Sequence, residues 1–150
     1  MTELRGHGLA LSIERGWEAR IFMPQEPPPA ENHPIVRLAN FALPTTADTY
    51  AEDVADALRP GQVVASLVEF SPRLADRGLY ASTGMPAFGL DDLDPRALQR
   101  HVPGRYGLQR FFSAGGRAFS LYVIARDGHG LAASLRTLEA QVRGLVVSAR

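Results

Sequence analysis

The segment 104–126, GRYGLQRFFSAGGRAFSLYVIAR, restricts the fold more than any other stretch of this chain. Two runs rich in aromatic and β-branched residues flank Gly115-Gly116. Glycine adopts the positive φ that a two-residue hairpin turn demands, so the segment predicts a β-hairpin. With Gly115-Gly116 as the loop, Phe112 faces Phe119, Arg110 faces Leu121 and Leu108 faces Val123. One face then carries Tyr106, Leu108, Phe112, Phe119, Leu121 and Val123, which is core material. The other face carries Gly107, Gln109, Phe111, Ser113, Ser120, Tyr122 and Ile124 and reads as a mixed surface. Arg110 is out of place on the apolar face, which predicts a carboxylate partner for it inside the fold.

The rest of the chain is read around that hairpin. Residues 8–13 put Leu9, Leu11 and Ile13 on one face, and residues 17–23 alternate Trp17, Ala19, Ile21 and Met23. A three-residue loop, Glu14-Arg15-Gly16, would pair Ile13 with Trp17 and Leu9 with Ile21, with Gly16 in the left-handed position, and so predicts an N-terminal hairpin. Residues 24–34, PQEPPPAENHP, are short of ladder donors and predict an extended connector. Its PxxP spacing from Pro24 to Pro27 is one that proline-recognising domains bind, and also one that plain loops contain. Residues 35–43 predict a strand stopped by Pro44. Asp48 or Thr49 then caps a helix to about Leu58, acidic through Asp48, Glu52, Asp53 and Asp56, with Tyr50, Val54, Ala57 and Leu58 left to pack.

The nearly continuous β-branched run 62–70 predicts a central strand. Residues 71–94 show no long periodicity beyond a short strand at 78–81, and a connection of this length is often functional. Asp94-Pro95 starts a short helix that Pro103-Gly104 closes. After the central hairpin, Leu131, Leu135, Leu138 and Val142 form one helical stripe, Gly144 ends the helix, and 145–147 is a last short strand.

This order predicts an α+β fold in one domain, 1–150. Its sheet is mostly antiparallel with about six to seven strands, and an amphipathic C-terminal helix and one or two shorter helices pack on it. The turn through Gly16-Trp17 into WEARIF, and the long hairpin, amphipathic helix and terminal strand over 104–148, resemble PsbP-like domains. The resemblance implies a three-layer sandwich around an antiparallel sheet and a non-catalytic accessory or binding role. It assigns no functional residue.

Composition excludes much chemistry. Sixteen basic residues balance sixteen acidic ones, so no net field recruits nucleic acid or an anionic membrane. All the basic residues are arginine, which removes Schiff-base lysines and the P-loop lysine. With no cysteine there is no disulfide, thiolate zinc site or cysteine nucleophile. His7, His33, His101 and His129 are scattered without HxH or HExxH spacing, so neither metal nor cofactor is expected. Asp91 and Asp92 read as solvated loop charge, and Asp94 as a helix cap. GxSxG and GxGxxG are absent. Charge interrupts the apolar N-terminal run at Glu14, and a cytoplasmic setting is expected.

The feature left over is the distribution of charge. No acidic residue lies between Pro95 and Arg126, a stretch that holds Arg96, Arg100, Arg105, Arg110, Arg117 and Arg126. The acidic counterpart is 48–56. Arginines beside aromatic residues grip carboxylate, phosphate or ring faces. Alternatively, they pair within the fold. The expectation is a non-catalytic binding or scaffolding domain acting through protein–protein contact or self-association. Arg105, Arg117, Phe111 and Tyr122 would form the basic and aromatic side of that contact, and Asp53 and Asp56 the acidic side. Arg117, beside the hairpin tip, is expected to be exposed. Two further readings are a binder of small hydrophobic ligands in a cleft beside 71–94, and a hydrolase whose site assembles only in space.

Overall fold

Strand pairing in the computed structural model, which describes every residue but Ala47 and Arg150, divides the chain between two antiparallel sheets. Among the described residues there are eight strands: β1 (Thr2–Gly6), β2 (Leu9–Ile13), β3 (Glu18–Phe22), β4 (Ile35–Ala39), β5 (Val63–Phe70), β6 (Arg105–Ala114), β7 (Arg117–Arg126) and β8 (Val146–Val147). One α-helix, α1 (Leu131–Arg143), precedes β8. The sheet orders are β1-β2-β8 and β3-β4-β5-β7-β6. The fold is α+β, as its sequence predicts, with more strands and fewer helices than expected.

The central hairpin has the predicted register: Phe112 opposite Phe119, Arg110 opposite Leu121, Leu108 opposite Val123. Gly115 and Gly116 have φ of 59° and 75°, the left-handed pair this tight turn requires. β5 lies between β4 and β7 and is buried on both faces, which is why its sequence is apolar throughout rather than alternating. On one face of the five-stranded sheet, Leu67, Phe119 and Leu121 pack with Leu9 and Leu11 of β2 and with the Leu135 and Leu138 stripe of α1. On the other, Val64, Tyr122 and Ile124 pack with Val54, Leu58, Leu98 and Val102 from irregular segments. The five-stranded sheet is thus the middle layer.

The N-terminal hairpin differs from expectation. β2 pairs with β1 and β8, not with β3, and β3 joins β4 in the other sheet. The polar β1 carries no apolar alternation to announce it. Its link to β2 is His7-Gly8, both at positive φ (52° and 77°), a shorter closure than the loop at 14–16. Gly16 does have positive φ (85°), but its turn redirects the chain from one sheet to the other.

The two shorter helices are 3-10 turns, Glu52–Ala57 and Pro95–Ala97. Asp94 caps the second as expected, its carboxylate accepting from the Arg96 N–H at 2.8 Å. The strand predicted at 78–81 is also a 3-10 turn, Gly78–Tyr80. That turn swings Tyr80 between Phe70 and Phe111, with ring centroids 5.9 and 5.7 Å away. The long irregular segment covers the free edge of β6 at both ends. Ser113 exchanges backbone hydrogen bonds with Ser82 and Gly84 (2.8 Å each), and Gly107 with Asp94 (2.8 and 3.0 Å). Those bonds occupy the edge at Gly107 and Ser113, the two places where another chain would otherwise find free donors and acceptors near the strand ends.

The face of β6 and β7 that reads as mixed surface is largely interior. Ser113, Ser120, Tyr122 and Ile124 are all 1% exposed or less. Their polar atoms find partners there: the Ser113 hydroxyl donates to Tyr80 O (2.7 Å), and Gln109 Nε2 donates to the Ser120 hydroxyl (3.0 Å). Alternation of polar and apolar residues separates the two faces of a strand but does not say which face is wet when both are covered.

Candidate functional site

The 3-10 turn Glu52–Ala57 builds the candidate site. With three residues per turn, side chains three apart eclipse one another. Glu52, Ala55 and Leu58 therefore point inward and are buried, while Asp53, Asp56 and Ala57 are exposed. An α-helical reading of the same residues puts Glu52 outside and Ala57 inside, the reverse of what is observed. Ala51, at φ 57°, starts the turn.

Glu52 meets β7 from above. The Tyr122 hydroxyl donates to Glu52 Oε1, and the Gln99 N–H lies 3.0 Å from both Oε1 and the phenol oxygen. Glu52 Oε2 is buried with no hydrogen-bond partner. Burial first, then the bond to Glu52, holds the Tyr122 phenol far above its ordinary pKa, so Tyr122 keeps its proton and donates it. Burial also raises Tyr50, whose ring meets the edge of Tyr122 at 5.2 Å, and Tyr80. The consequence for stability has a definite sign. Below about pH 10 these phenols are neutral in both states and contribute fully. Above it, the unfolded chain releases protons that the folded chain retains. Stability then falls by up to about 1.4 kcal/mol per pH unit through Tyr122, with Tyr50 and Tyr80 acting in the same direction. Urea midpoints followed from neutral pH upward, with tyrosinate absorbance as a second readout, test this. A midpoint unchanged above about pH 10 contradicts it.

Asp48, Glu52, Asp53, Asp56, Gln99 and Arg100 line one open cleft of about 490 Å³. Arg100 pairs with Asp56 at 2.5 Å and reaches the main-chain oxygen of Glu52 at 3.4 Å. That hydrogen bond lowers the Asp56 pKa and raises that of Arg100. The Thr46 hydroxyl lies 2.6 Å from both Asp53 oxygens, and Asp48 Oδ1 accepts from the Tyr50 N–H. Behind the cleft, the buried Arg37 donates to the carbonyls of Asp48 and Thr49 and to Ser66 Oγ. Desolvation lowers its pKa, against the opposite pull of Asp48 and Asp53. Among the described residues, no three carboxylates or histidines are grouped to hold a metal ion. The cleft shares Asp48 with a second depression of about 460 Å³ under residues 22–26. That one in turn shares Pro24, Glu26, Ile35 and Thr49 with a third of about 320 Å³ beside Ser71 and Leu74.

The residues singled out from sequence separate into three groups. Asp53 and Asp56 stand at the cleft, exposed. Arg105 and Phe111 are half-buried. Arg105 donates to the carbonyls of Ala55, Asp56 and Leu58, the end of the 3-10 turn, where cations and donors are favoured. Arg117 and Tyr122 are interior, at 2% and 1% exposure, so the expectation of an exposed Arg117 is reversed. Arg117 turns inward to Glu69 (2.6 and 3.0 Å) instead of outward from the hairpin tip. Arg110 does have its carboxylate, Asp92 at 3.1 Å, but the pair is about two-fifths exposed rather than internal. Arg96 pairs with Asp94, and Arg126 donates to Leu58 O at 2.8 Å. Each arginine of 95–126 thus has a partner in its own chain. Gln99 and the buried role of Glu52 escaped the sequence reading. The available signal was the three-residue spacing of Glu52, Ala55 and Leu58.

The enclosed void lined by Leu11, Val36, Leu67, Val142 and neighbours holds about 10 Å³, room for no more than roughly one water. Among the described residues no histidine is hydrogen-bonded to a serine; His33 Nε2 lies buried 3.6 Å from Glu31 without a hydrogen bond. No described helix is long and apolar enough to cross a membrane. The chain matches no protein-family model, no curated protein and no solved structure, and nothing among these comparisons bears on the resemblance to PsbP-like domains.

Proposed function

We propose that this chain is a non-catalytic binding domain whose acidic cleft receives a cationic segment of a partner protein. The observation that carries the reading is the convergence of Asp48, Glu52, Asp53 and Asp56 on one open cleft whose lining includes a single cation, Arg100. A concave site walled by protein focuses the field of its charges and raises the local concentration of opposite charge. The internal pairing of the arginines in 95–126 leaves the acidic side as the half of the charge pattern free to meet a partner. Arg117, turned inward to Glu69, is also lost from the basic side of any contact between copies.

Binding of a labelled peptide carrying lysine and arginine, measured by anisotropy, tests this. Affinity should fall steeply as salt shortens the screening length from about 10 Å at 0.1 M to about 3 Å at 1 M. Asp48→Asn with Asp53→Asn should weaken binding at low salt by about tenfold or more while barely moving stability, since Asp53 is exposed and Asp48 only half-buried. Arg100→Ala should strengthen it by removing the chain's own competing cation. Binding that ignores both the salt and these substitutions would remove the proposal.

A further inference from the structure

We infer that the outer edge of β1 is a contact between two copies of this chain, joined by antiparallel pairing of β1 with itself across Leu4. β1 ends the three-stranded sheet and is bonded to β2 on one side alone. The two-residue turn at His7-Gly8 makes Gly6 and Leu9 the first hydrogen-bonded pair. Thr2, Leu4 and Gly6 therefore bond to β2, and the residues between them turn away. Gly8 fits this alternation, since its carbonyl leaves β2 on the opposite side and accepts from the Ser148 N–H at 2.9 Å. The main-chain N–H and C=O of Glu3 and Arg5 thus face outward, and among the described residues nothing is hydrogen-bonded to them there. β3 does not close this edge. A Cβ at Gly6 would stand 3.5 Å from Ile21 Cγ2, and side chains rise perpendicular to a sheet, so β3 lies against the face of β1.

Charge on an open edge ordinarily deters pairing. Here its arrangement suits one partner. Glu3 and Arg5 share the outer face, their side chains 50% and 74% exposed, and pair within the strand at 2.5 Å. A second copy of β1, antiparallel and centred on Leu4, sets Glu3 opposite Arg5 and Arg5 opposite Glu3. Both pairs have outward-facing main chain, so together they form about four hydrogen bonds between chains. Moving the centre by one residue keeps bonds of this kind but sets Glu3 against Glu3, or Arg5 against Arg5, which repel. Leu4, half-buried on the face of Leu9 and Leu11, meets its counterpart at the twofold axis and gains cover. The contact uses none of the cleft residues, so it stands independently of the reading above.

Analytical ultracentrifugation, with amide hydrogen exchange at two concentrations, tests this. An edge this short belongs to the small, weak class of contacts, so dimer should appear at about 0.1–1 mM. The Glu3 and Arg5 amides, free in the monomer, should exchange about tenfold or more slowly at about 1 mM than at about 10 µM. Arg5→Glu and Glu3→Arg should each weaken dimerisation by about tenfold or more, since each sets like charges opposite. Mixing the two variants should restore it, because each chain then supplies the charges the other lacks. A wild-type chain that stays monomeric to about 1 mM overturns the inference, whatever the variants do. A dimer whose Glu3 and Arg5 amides still exchange fast, or folded variants that fail to pair when mixed, overturn it as well.

Discussion

Arg117→Ala should cost about 3–5 kcal/mol of stability, a large part of the roughly 5–15 kcal/mol that holds a domain folded. Arg117 and Glu69 are 2% and 3% exposed, and the guanidinium meets the carboxylate at two points. Its remaining donors reach His7 O, Gly8 O and Ser148 O, at 3.0 to 3.2 Å. One side chain at the start of β7 thereby fastens the β1–β2 turn and the chain end after β8 to the five-stranded sheet. Truncation withdraws a guanidinium from a buried carboxylate and leaves three carbonyls seeking other donors. Replacing both charges together, Arg117→Met with Glu69→Leu, should cost less than Arg117→Ala alone, because the desolvation of both ions is then avoided. Denaturant unfolding of the single and double variants decides the matter. A single-variant loss under about 1 kcal/mol would mean that the pair is not the fastening described.

Phe119→Ala should be comparably damaging, at about 3–5 kcal/mol, through the cavity it opens. Phe119 is fully buried in the middle layer and stacks on Phe112, with centroids 5.5 Å apart and planes at 22°. Close-packed neighbours relax only partly into such a space. The Arg117 guanidinium lies 5.9 Å from the Phe119 ring, so the two sites are coupled. Arg117→Ala and Phe119→Ala combined should depart from the sum of the single losses by about 0.5 kcal/mol or more. Additive losses would show that the ring and the ion pair act independently.

Position within a protein decides how well local rules work. The hairpin β6–β7, the central β5 and the stripe of α1 were legible because each is fixed by a local pattern: a Gly-Gly turn, a continuous β-branched run, a helical period. β1 was not, because its polar residues contribute almost nothing to the core and its pairing is set by a two-residue turn at His7-Gly8. The edge-covering role of the irregular segment could not be read either. It consists of backbone bonds to Gly107 and Ser113, which any residue can make.

The candidate site divides the same way. Its charge was plain in the sequence: carboxylates at 48–56 facing an arginine-only stretch at 95–126. Which of those charges are satisfied internally depends on the tertiary structure, because ion pairing is a matter of distance in space. Arg100 and Asp56 are far apart along the chain and 2.5 Å apart in the fold, whereas the exposed-looking Arg117 is interior. The sequence by itself determined the strands with strong local signals, the absence of lysine and cysteine chemistry, and the segregation of charge. Only the tertiary structure decided the two-sheet division, the inward turn of Glu52 and the cleft. The first follows from the two-residue closure at His7-Gly8, which pairs β2 with β1; the other two go with a 3-10 turn seated against Tyr122, and a local pattern of residue types leaves the choice between that period and an α-helix open.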